Sequence, residues 1–296
     1  MAIFKGSGVA LVTPFDKDNN VNYDMLQKLI DFHADNGTDA IIIVGTTGEG
    51  STLSMEEHAE CIRQAVAMTK GRMPVIAGTG SNCTETAIKL SKDAAKDGAD
   101  ALLVVTPYYN KATQKGLKAH YTAIAKEVDV PIIMYNVPSR TGCKIEAATG
   151  AELVKSVDNI VAMKDATGDI SYAADIMHLT NGDIELYSGN DDQVIPLLSL
   201  GGIGVISVLA NVAPKETHEM VTSYLEGNHE KARKIQLDAI PLIHKLFCEV
   251  NPIPVKYAMK AIGYDAGSLR APLSEIEPEH AKELVAAMKE FGLKTV

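Results

Sequence analysis

Short, almost wholly apolar runs alternate with longer amphipathic stretches along this chain, and the alternation repeats eight times. The apolar runs cover residues 8–14, 40–44, 74–78, 101–109, 131–136, the segment from 159 that ends in Lys164, 184–189 and 204–208. A run without polar interruption reads as a strand covered on both faces, as in a parallel sheet. Between the runs the apolar positions fall at helical spacing. Met25, Leu26, Leu29, Ile30 and Phe32 lead to a stop at Asn36-Gly37. Ser54 and Glu57 form a capping box for a helix that ends near Gly71, and a further helix runs through Ile88 and Leu90 to Gly98. Later helical patterns centre on Leu153-Val154, on Ile176, Met177 and Leu179, and on Val194 to Leu198. Gly37-Thr38-Asp39-Ala40-Ile41 recurs as Gly98-Ala99-Asp100-Ala101-Leu102, a helix stop and strand start used twice.

Eight buried strands, each followed by a helix at intervals of about 25–35 residues, predict an α/β fold of the (β/α)8 TIM-barrel kind. The rival is a doubly wound open sheet, which usually has fewer strands and often a glycine-rich nucleotide turn. No GxGxxG or GxxxxGK[ST] occurs, so the barrel is the better reading. Beyond about residue 225 the strand pattern stops. Helical patterns follow over 232–250, 255–262 and 279–291, broken by Asn251-Pro252-Ile253-Pro254 and by Pro272. The expected division is a catalytic barrel over 1–225 and a C-terminal helical domain over 226–296.

Composition narrows the function classes. The chain has 296 residues, 46% hydrophobic and 22% charged, which fits a globular enzyme of barrel size. With a formal net charge of −10, no strong electrostatic attraction to nucleic acid or an anionic membrane is expected. Met1-Ala2-Ile3-Phe4-Lys5-Gly6 lacks the core of a signal peptide, and no apolar run is long enough to span a bilayer. A cytoplasmic enzyme is expected. Cys61, Cys83, Cys143 and Cys248 are widely spaced with no CxxC pair, as reduced thiols would be. The eight histidines form no HExxH or similar pair, so a metal site has no sequence support, and with no motif for an organic cofactor none is expected.

A barrel enzyme carries its chemistry at the C-terminal ends of its strands. There the stretch Asn159-Ile160-Val161-Ala162-Met163-Lys164-Asp165-Ala166-Thr167-Gly168 places a lysine at the end of a buried strand. Desolvation lowers the pKa of such a lysine, and the free amine can attack a carbonyl to form a Schiff base. Taken alone, the segment is better explained by a lysine that snorkels into solvent, since perturbed lysines are a minority. The other strand ends carry Thr46-Thr47, Tyr108-Tyr109, Tyr135 and Gly189, so hydroxyl groups gather around one amine. That set suits proton transfer to and from a carbonyl adduct. Each member also has an ordinary reading: loop caps for the threonines, rim aromatics or strand propensity for the tyrosines. Arg140 in Pro138-Ser139-Arg140-Thr141-Gly142 is either a solvated loop charge or a bidentate partner for a carboxylate. No carboxylate pair suits glycoside hydrolysis. Gly201-Gly202-Ile203-Gly204 precedes a strand instead of following one, and 209–214 holds no glycine, which disfavours a phosphorylated substrate.

These residues also carry a family resemblance over nearly the whole chain. Gly45-Thr46-Thr47-Gly48-Glu49, Thr106-Pro107-Tyr108-Tyr109-Asn110, Tyr135-Asn136-Val137-Pro138-Ser139-Arg140-Thr141-Gly142 and Val161-Ala162-Met163-Lys164-Asp165 resemble the dihydrodipicolinate synthase family. Gly189-Asn190-Asp191 and Gly204-Val205-Ile206-Ser207 do so too. The wider superfamily of N-acetylneuraminate lyases and keto-deoxy-sugar aldolases shares the barrel, the lysine and the GTTGE-type loop. Arg140 within YNVPSRTG separates the synthases from these sisters.

The resemblance implies condensation of pyruvate with L-aspartate 4-semialdehyde, the step that opens the diaminopimelate route to lysine. It implies that Lys164 forms the Schiff base, Tyr135 donates and accepts protons, and Thr46 connects Tyr135 to Tyr109 of a neighbouring subunit. Thr47 would hold the pyruvate carboxylate and Arg140 the semialdehyde carboxylate, with Gly189 and Ile206 lining the pyruvate pocket. A homotetramer built as a dimer of dimers is implied as well. Many members are inhibited by lysine in an interface cleft beside Tyr108, with a histidine matching Met55 and a glutamate matching Thr86. Here Met55 is a weak acceptor and the acid has moved to Glu85, while His58 and Asn82 remain, so weak or absent feedback is expected. Two other readings stay open: a pyruvate-dependent class I aldolase or lyase acting on a sugar acid, and a catalytically silent binding barrel.

Overall fold

The computed structural model describes residues 2–296. Eight parallel strands close into a barrel in sequence order: β1 Gly6–Ala10, β2 Ala40–Ile43, β3 Val75–Gly78, β4 Ala101–Val105, β5 Ile132–Asn136, β6 Ile160–Asp165, β7 Glu185–Ser188 and β8 Gly204–Ser207. The seam is β1 on β8, with Gly6 opposite Gly204 and Gly8 opposite Ile206. The helices that follow the strands are α1 Tyr23–Asp35, α2 Met55–Thr69, α3 Thr84–Lys96, α4 Gln114–Ala125, the single turn α5 Pro138–Thr141, α6 Ala147–Ser156, α7 Ile170–Thr180, α8 Val194–Ser199 and, after β8, α9 Pro214–Leu225. Three more, α10 His229–Leu246, α11 Ile253–Ala261 and α12 Pro278–Glu290, form the C-terminal helical region. The (β/α)8 barrel with a helical addition is therefore what the hydrophobic pattern predicted.

Side chains alternate across a strand, and the strands sort themselves accordingly. Ile42, Ile76, Leu103, Ile133, Ala162 and Ile206 pack with one another inside the barrel. Their neighbours Ile41, Ile43, Val75, Leu102, Ile132 and Met163 pack outward against the helices. The outer core continues without a break into Leu242, Ile243, Val255, Met259, Leu284 and Met288 of the C-terminal helices. Fully burying each large aliphatic side chain contributes about 1.5–3 kcal/mol, so this shared layer binds the last three helices to the barrel.

Two strands differ most from the apolar runs that announced them. Strand β1 begins at Gly6, two residues early, because Gly6 N–H bonds the carbonyl of Ile203 in the seam. It stops at Ala10, and by Phe15 the backbone N–H has turned to the carbonyl of Ala266. Strand β4 ends at Val105. Pro107 has no N–H to give, and Tyr109 and Lys111 take positive φ values of 70° and 57°, which bend the chain off the sheet. The capping box is present as expected: Ser54 Oγ accepts from Glu57 N–H, and Ser54 N–H donates to the Glu57 carboxylate.

Candidate active site

Strand register builds the centre of the site. Tyr135 of β5 lies opposite Lys164 of β6, and Lys164 lies opposite Tyr187 of β7. Because Ala162 faces the lumen, Lys164 two residues on does so too, while Met163 faces the helices. The Lys164 Nζ sits 4.3 Å from the centroid of the Tyr135 ring. Both residues are buried, Lys164 being 6% exposed and Tyr135 7%. Burial pulls the amine down to about 7; the buried Asp191 carboxylate opposes that shift and the Arg140 charge adds to it. A large share of the lysine is therefore uncharged near neutrality, where an ordinary lysine is not. The Tyr135 phenol moves the other way. Burial raises it, while the Arg140 charge and a hydrogen bond with Thr46 hold it back.

The loop after β2 supplies the two threonines in a tightly folded form. Val44 and Glu49 both have positive φ, at 50° and 51°, and Gly50 N–H bonds the carbonyl of Gly45 at 3.1 Å. A β-branched residue held at positive φ is a strained conformation, and the surroundings must enforce it. A Cβ on Gly50 would come within 2.2 Å of the Val44 carbonyl oxygen, so only glycine closes this turn. Thr13 Oγ1 donates to the carbonyl of Gly48 at 2.6 Å. The buried Glu49 carboxylate accepts from Lys256 Nζ at 2.8 Å and from Arg270 N–H at 2.9 Å. Lys256 and the Arg270 guanidinium each lie 4.3 Å from the Phe15 ring centre, one cation on that ring from each residue. In this clamped turn Thr47 is buried and Thr46 is exposed on the side that meets Tyr135.

The remaining candidates fall around the same rim. Gly189 follows β7, and a Cβ there would meet Ala166 Cβ at 2.7 Å and Lys164 Cε at 3.0 Å. Glycine is needed at this position to leave room for the lysine. Ile206 of β8 is buried in the lumen cluster. Arg140 stands on α5 and not in an open loop; it is exposed, and its Nη2 reaches the carbonyl of Asn251 at 3.5 Å. Tyr109 is the exception. At 91% exposed it projects from the loop after β4, and within one chain it joins none of the others.

Two neighbours of the site went unassigned from sequence. Asp191 is buried and its charge acts on Lys164; its carboxylate accepts from Ser207 Oγ at 2.5 Å and from the N–H groups of Val208 and Leu209. Asn251 donates from Nδ2 to Thr47 Oγ1 at 2.9 Å. The Gly189-Asn190-Asp191 motif marked the first. Only the proline-rich break at 251–254 marked the second.

A buried amine of lowered pKa beside a phenol and two hydroxyls can attack a ketone and manage the protons of the adduct. The sequence profile of the dihydrodipicolinate synthetase family matches residues 3–291. The chain belongs to this family. A 4-hydroxy-tetrahydrodipicolinate synthase from Lachnoclostridium phytofermentans is 59% identical over 293 residues, covering 99% of this chain and 100% of its own. The crystal structure of dihydrodipicolinate synthase from Aquifex aeolicus is 45% identical and superposes with a TM-score of 0.96 over 99% of each chain. A chloride-inhibited dihydrodipicolinate synthase from Acinetobacter baumannii, solved in complex with pyruvate, is 44% identical with a TM-score of 0.95, over 98% of this chain and 99% of that one. The family match extends to residue 291, past the end of α12, so the three C-terminal helices belong to the family fold. Among the described residues no helix is long and apolar enough to cross a membrane.

Proposed function

We infer that this protein condenses pyruvate with L-aspartate 4-semialdehyde, as a 4-hydroxy-tetrahydrodipicolinate synthase does, and is a lyase of lysine and diaminopimelate biosynthesis. The observation that carries this reading is the buried Lys164, lowered to about 7 and set against the face of Tyr135 in a chain of this family. The uncharged amine adds to the ketone of pyruvate and water leaves, giving a protonated imine. That imine withdraws electrons from the methyl group, which loses a proton to become an enamine carbon. The enamine attacks the aldehyde, and the new alkoxide takes up a proton. The amino group of the second substrate then displaces the lysine and closes the ring. Tyr135 is the group placed to pass these protons, with Thr46 as its hydroxyl partner. Thr47 holds the pyruvate carboxylate, Arg140 the semialdehyde carboxylate, and Gly189 and Ile206 leave and line the space between.

The same reading gives Tyr109 its place. A tyrosine that projects almost entirely into solvent can complete a proton relay only in another subunit's site. That relay requires at least a dimer, and the family's habit extends it to a homotetramer built as a dimer of dimers, working in the cytoplasm. Residues 1–225 form the catalytic barrel and 226–296 a helical domain that braces it. Arg140 favours the semialdehyde over a sugar acid, because a second carboxylate needs a cation at the entrance.

Intact mass after incubation with pyruvate and borohydride tests the lysine chemistry. The expected result is one pyruvate adduct per chain, on Lys164; an unchanged mass overturns it. Turnover with L-aspartate 4-semialdehyde against a panel of sugar aldehydes then tests the second substrate.

A further inference from the structure

Asn251 touches both groups that this reading assigns to substrate carboxylates. It lies 204 residues from Thr47 in sequence, just ahead of α11, yet its Nδ2 donates to Thr47 Oγ1 at 2.9 Å. Its backbone carbonyl accepts from Arg140 Nη2 at 3.5 Å. The side chain is buried, 5% exposed, and its Oδ1 has no hydrogen-bond partner. A buried amide held in this way costs stability, since its unpaired acceptor forfeits its hydration, and such a cost calls for a functional reason.

A threonine hydroxyl has one proton to give and lone pairs to receive. Once Thr47 Oγ1 accepts from Asn251, its own proton is free for an anion. If Asn251 presented an oxygen instead, Thr47 would spend its proton on the protein and turn a lone pair toward the substrate. We propose that Asn251 is a positioning residue that aims the Thr47 hydroxyl at the pyruvate carboxylate. The helical C-terminal region thereby sets the affinity of a site built on the barrel. The proposal rests on the assignment of Thr47 under Proposed function.

The test is the pyruvate concentration that gives half-maximal borohydride trapping, read by intact mass on full-length protein. Asn251→Ala raises it about tenfold, the scale of one hydrogen bond to a charged ligand. Asn251→Asp keeps the shape but takes the Thr47 proton and adds a negative charge, so it raises the concentration further. The maximal extent of trapping stays at one adduct per chain in both variants, which a general loss of structure would not allow. Thr47→Val alone weakens pyruvate to a similar degree, and Asn251→Ala added to it changes the value less than about twofold. Wild-type half-saturation in a folded Asn251→Asp protein overturns the proposal, as does full additivity with Thr47→Val. Circular dichroism establishes folding for each variant, and Asn251→Ala decides the matter if Asn251→Asp does not fold. A wild-type protein that pyruvate never labels overturns the lysine chemistry itself, a result distinct from either.

Discussion

Lys164 and Tyr135 are register partners on adjacent parallel strands, and the amine lies over the face of the phenol ring at 4.3 Å from its centre. The pairing serves two needs together. An aromatic face can hold the ammonium or iminium form of the lysine, and under the proposed function its hydroxyl would stand where protons must move. Lys164→Ala removes the only amine in this position. The barrel should remain folded, since an alanine beside Ala162 leaves the strand pairing untouched. Covalent capture of pyruvate should vanish, and turnover should fall by several orders of magnitude, the scale seen when a covalent nucleophile is lost. Near-native turnover in a folded variant contradicts the assignment.

The lowered lysine gives a pH profile of definite sign. Only the uncharged amine attacks, so the initial rate of pyruvate capture should rise with pH and level off above about 7. Stability follows from the same shift. The unfolded chain keeps this lysine protonated up to its ordinary value of 10.5, whereas the folded chain releases the proton near 7. Between these values the unfolded state binds more protons, so stability rises with pH across that window. The cost is fully present below pH 7. Lys164→Met should therefore raise the melting temperature most on the acid side and progressively less toward pH 10. A gain independent of pH would show that packing, not charge, was relieved.

Arg140 acts at two distances. If its guanidinium binds the semialdehyde carboxylate, Arg140→Ala should lower kcat/KM for that substrate about ten- to a hundredfold, the worth of a charge-assisted contact. Its charge also depresses both Lys164 and Tyr135. Removing it should move the pH profile of pyruvate capture upward while leaving the maximal extent of capture unchanged. Titration of the capture rate with and without the arginine separates the two effects. Equal loss for both substrates would point to a structural role instead.

The barrel was legible in the sequence because strands covered on both faces carry no polar interruption, and eight such runs leave few other topologies. Lys164, Tyr135 and the threonine loop were legible because a strand's C-terminal end is where a barrel gathers its chemistry. Pairing across long sequence separation was not. Glu49 with Lys256, Arg270 with Glu57 and Asn251 with Thr47 join residues more than 200 positions apart, and no local period reports such contacts. The short turn α5 was also missed, since four residues offer no helical periodicity to read. Pro138 at its start was the one available signal.

The ion pair between Lys256 and Glu49 makes a prediction about stability. Their side chains are 2% and 1% exposed, and Lys256 also donates to the carbonyl of Ser268 at 2.7 Å. Lys256→Met leaves Glu49 buried opposite only one backbone N–H. Loss of one partner of a buried pair costs about 3–5 kcal/mol, and the Thr46-Thr47 turn should loosen with it. Replacing both, as Lys256→Met with Glu49→Gln, removes the orphaned charge and should recover much of that loss. Denaturant midpoints for the single and double variants check this. A double variant no more stable than the single would show that the clamp contributes through packing on Phe15 alone.

Feedback by lysine can be judged from the side chains that α2 and α3 carry at positions 55, 58, 85 and 86. Met55 opens α2 and is 36% exposed, offering a thioether where a cationic effector needs a polar partner. His58 is committed inward: its Nε2 bonds the carbonyl of Gly78 at 2.8 Å, and burial lowers its pKa, so it stays neutral. Glu85 and Thr86 are consecutive in the first turn of α3, and Glu85 is exposed while Thr86 is half-buried. Neighbouring helical residues point about 100° apart, so the carboxylate at 85 cannot occupy the direction taken by residue 86. The ammonium of a bound lysine would then lack its charged partner. A missing charged hydrogen bond of about 1.5–3 kcal/mol weakens binding by one to two decades. Initial rates with and without millimolar L-lysine should therefore be nearly equal, and Thr86→Glu should restore part of the inhibition. Strong inhibition of the native protein would mean that Glu85 or another acid completes the cleft after all.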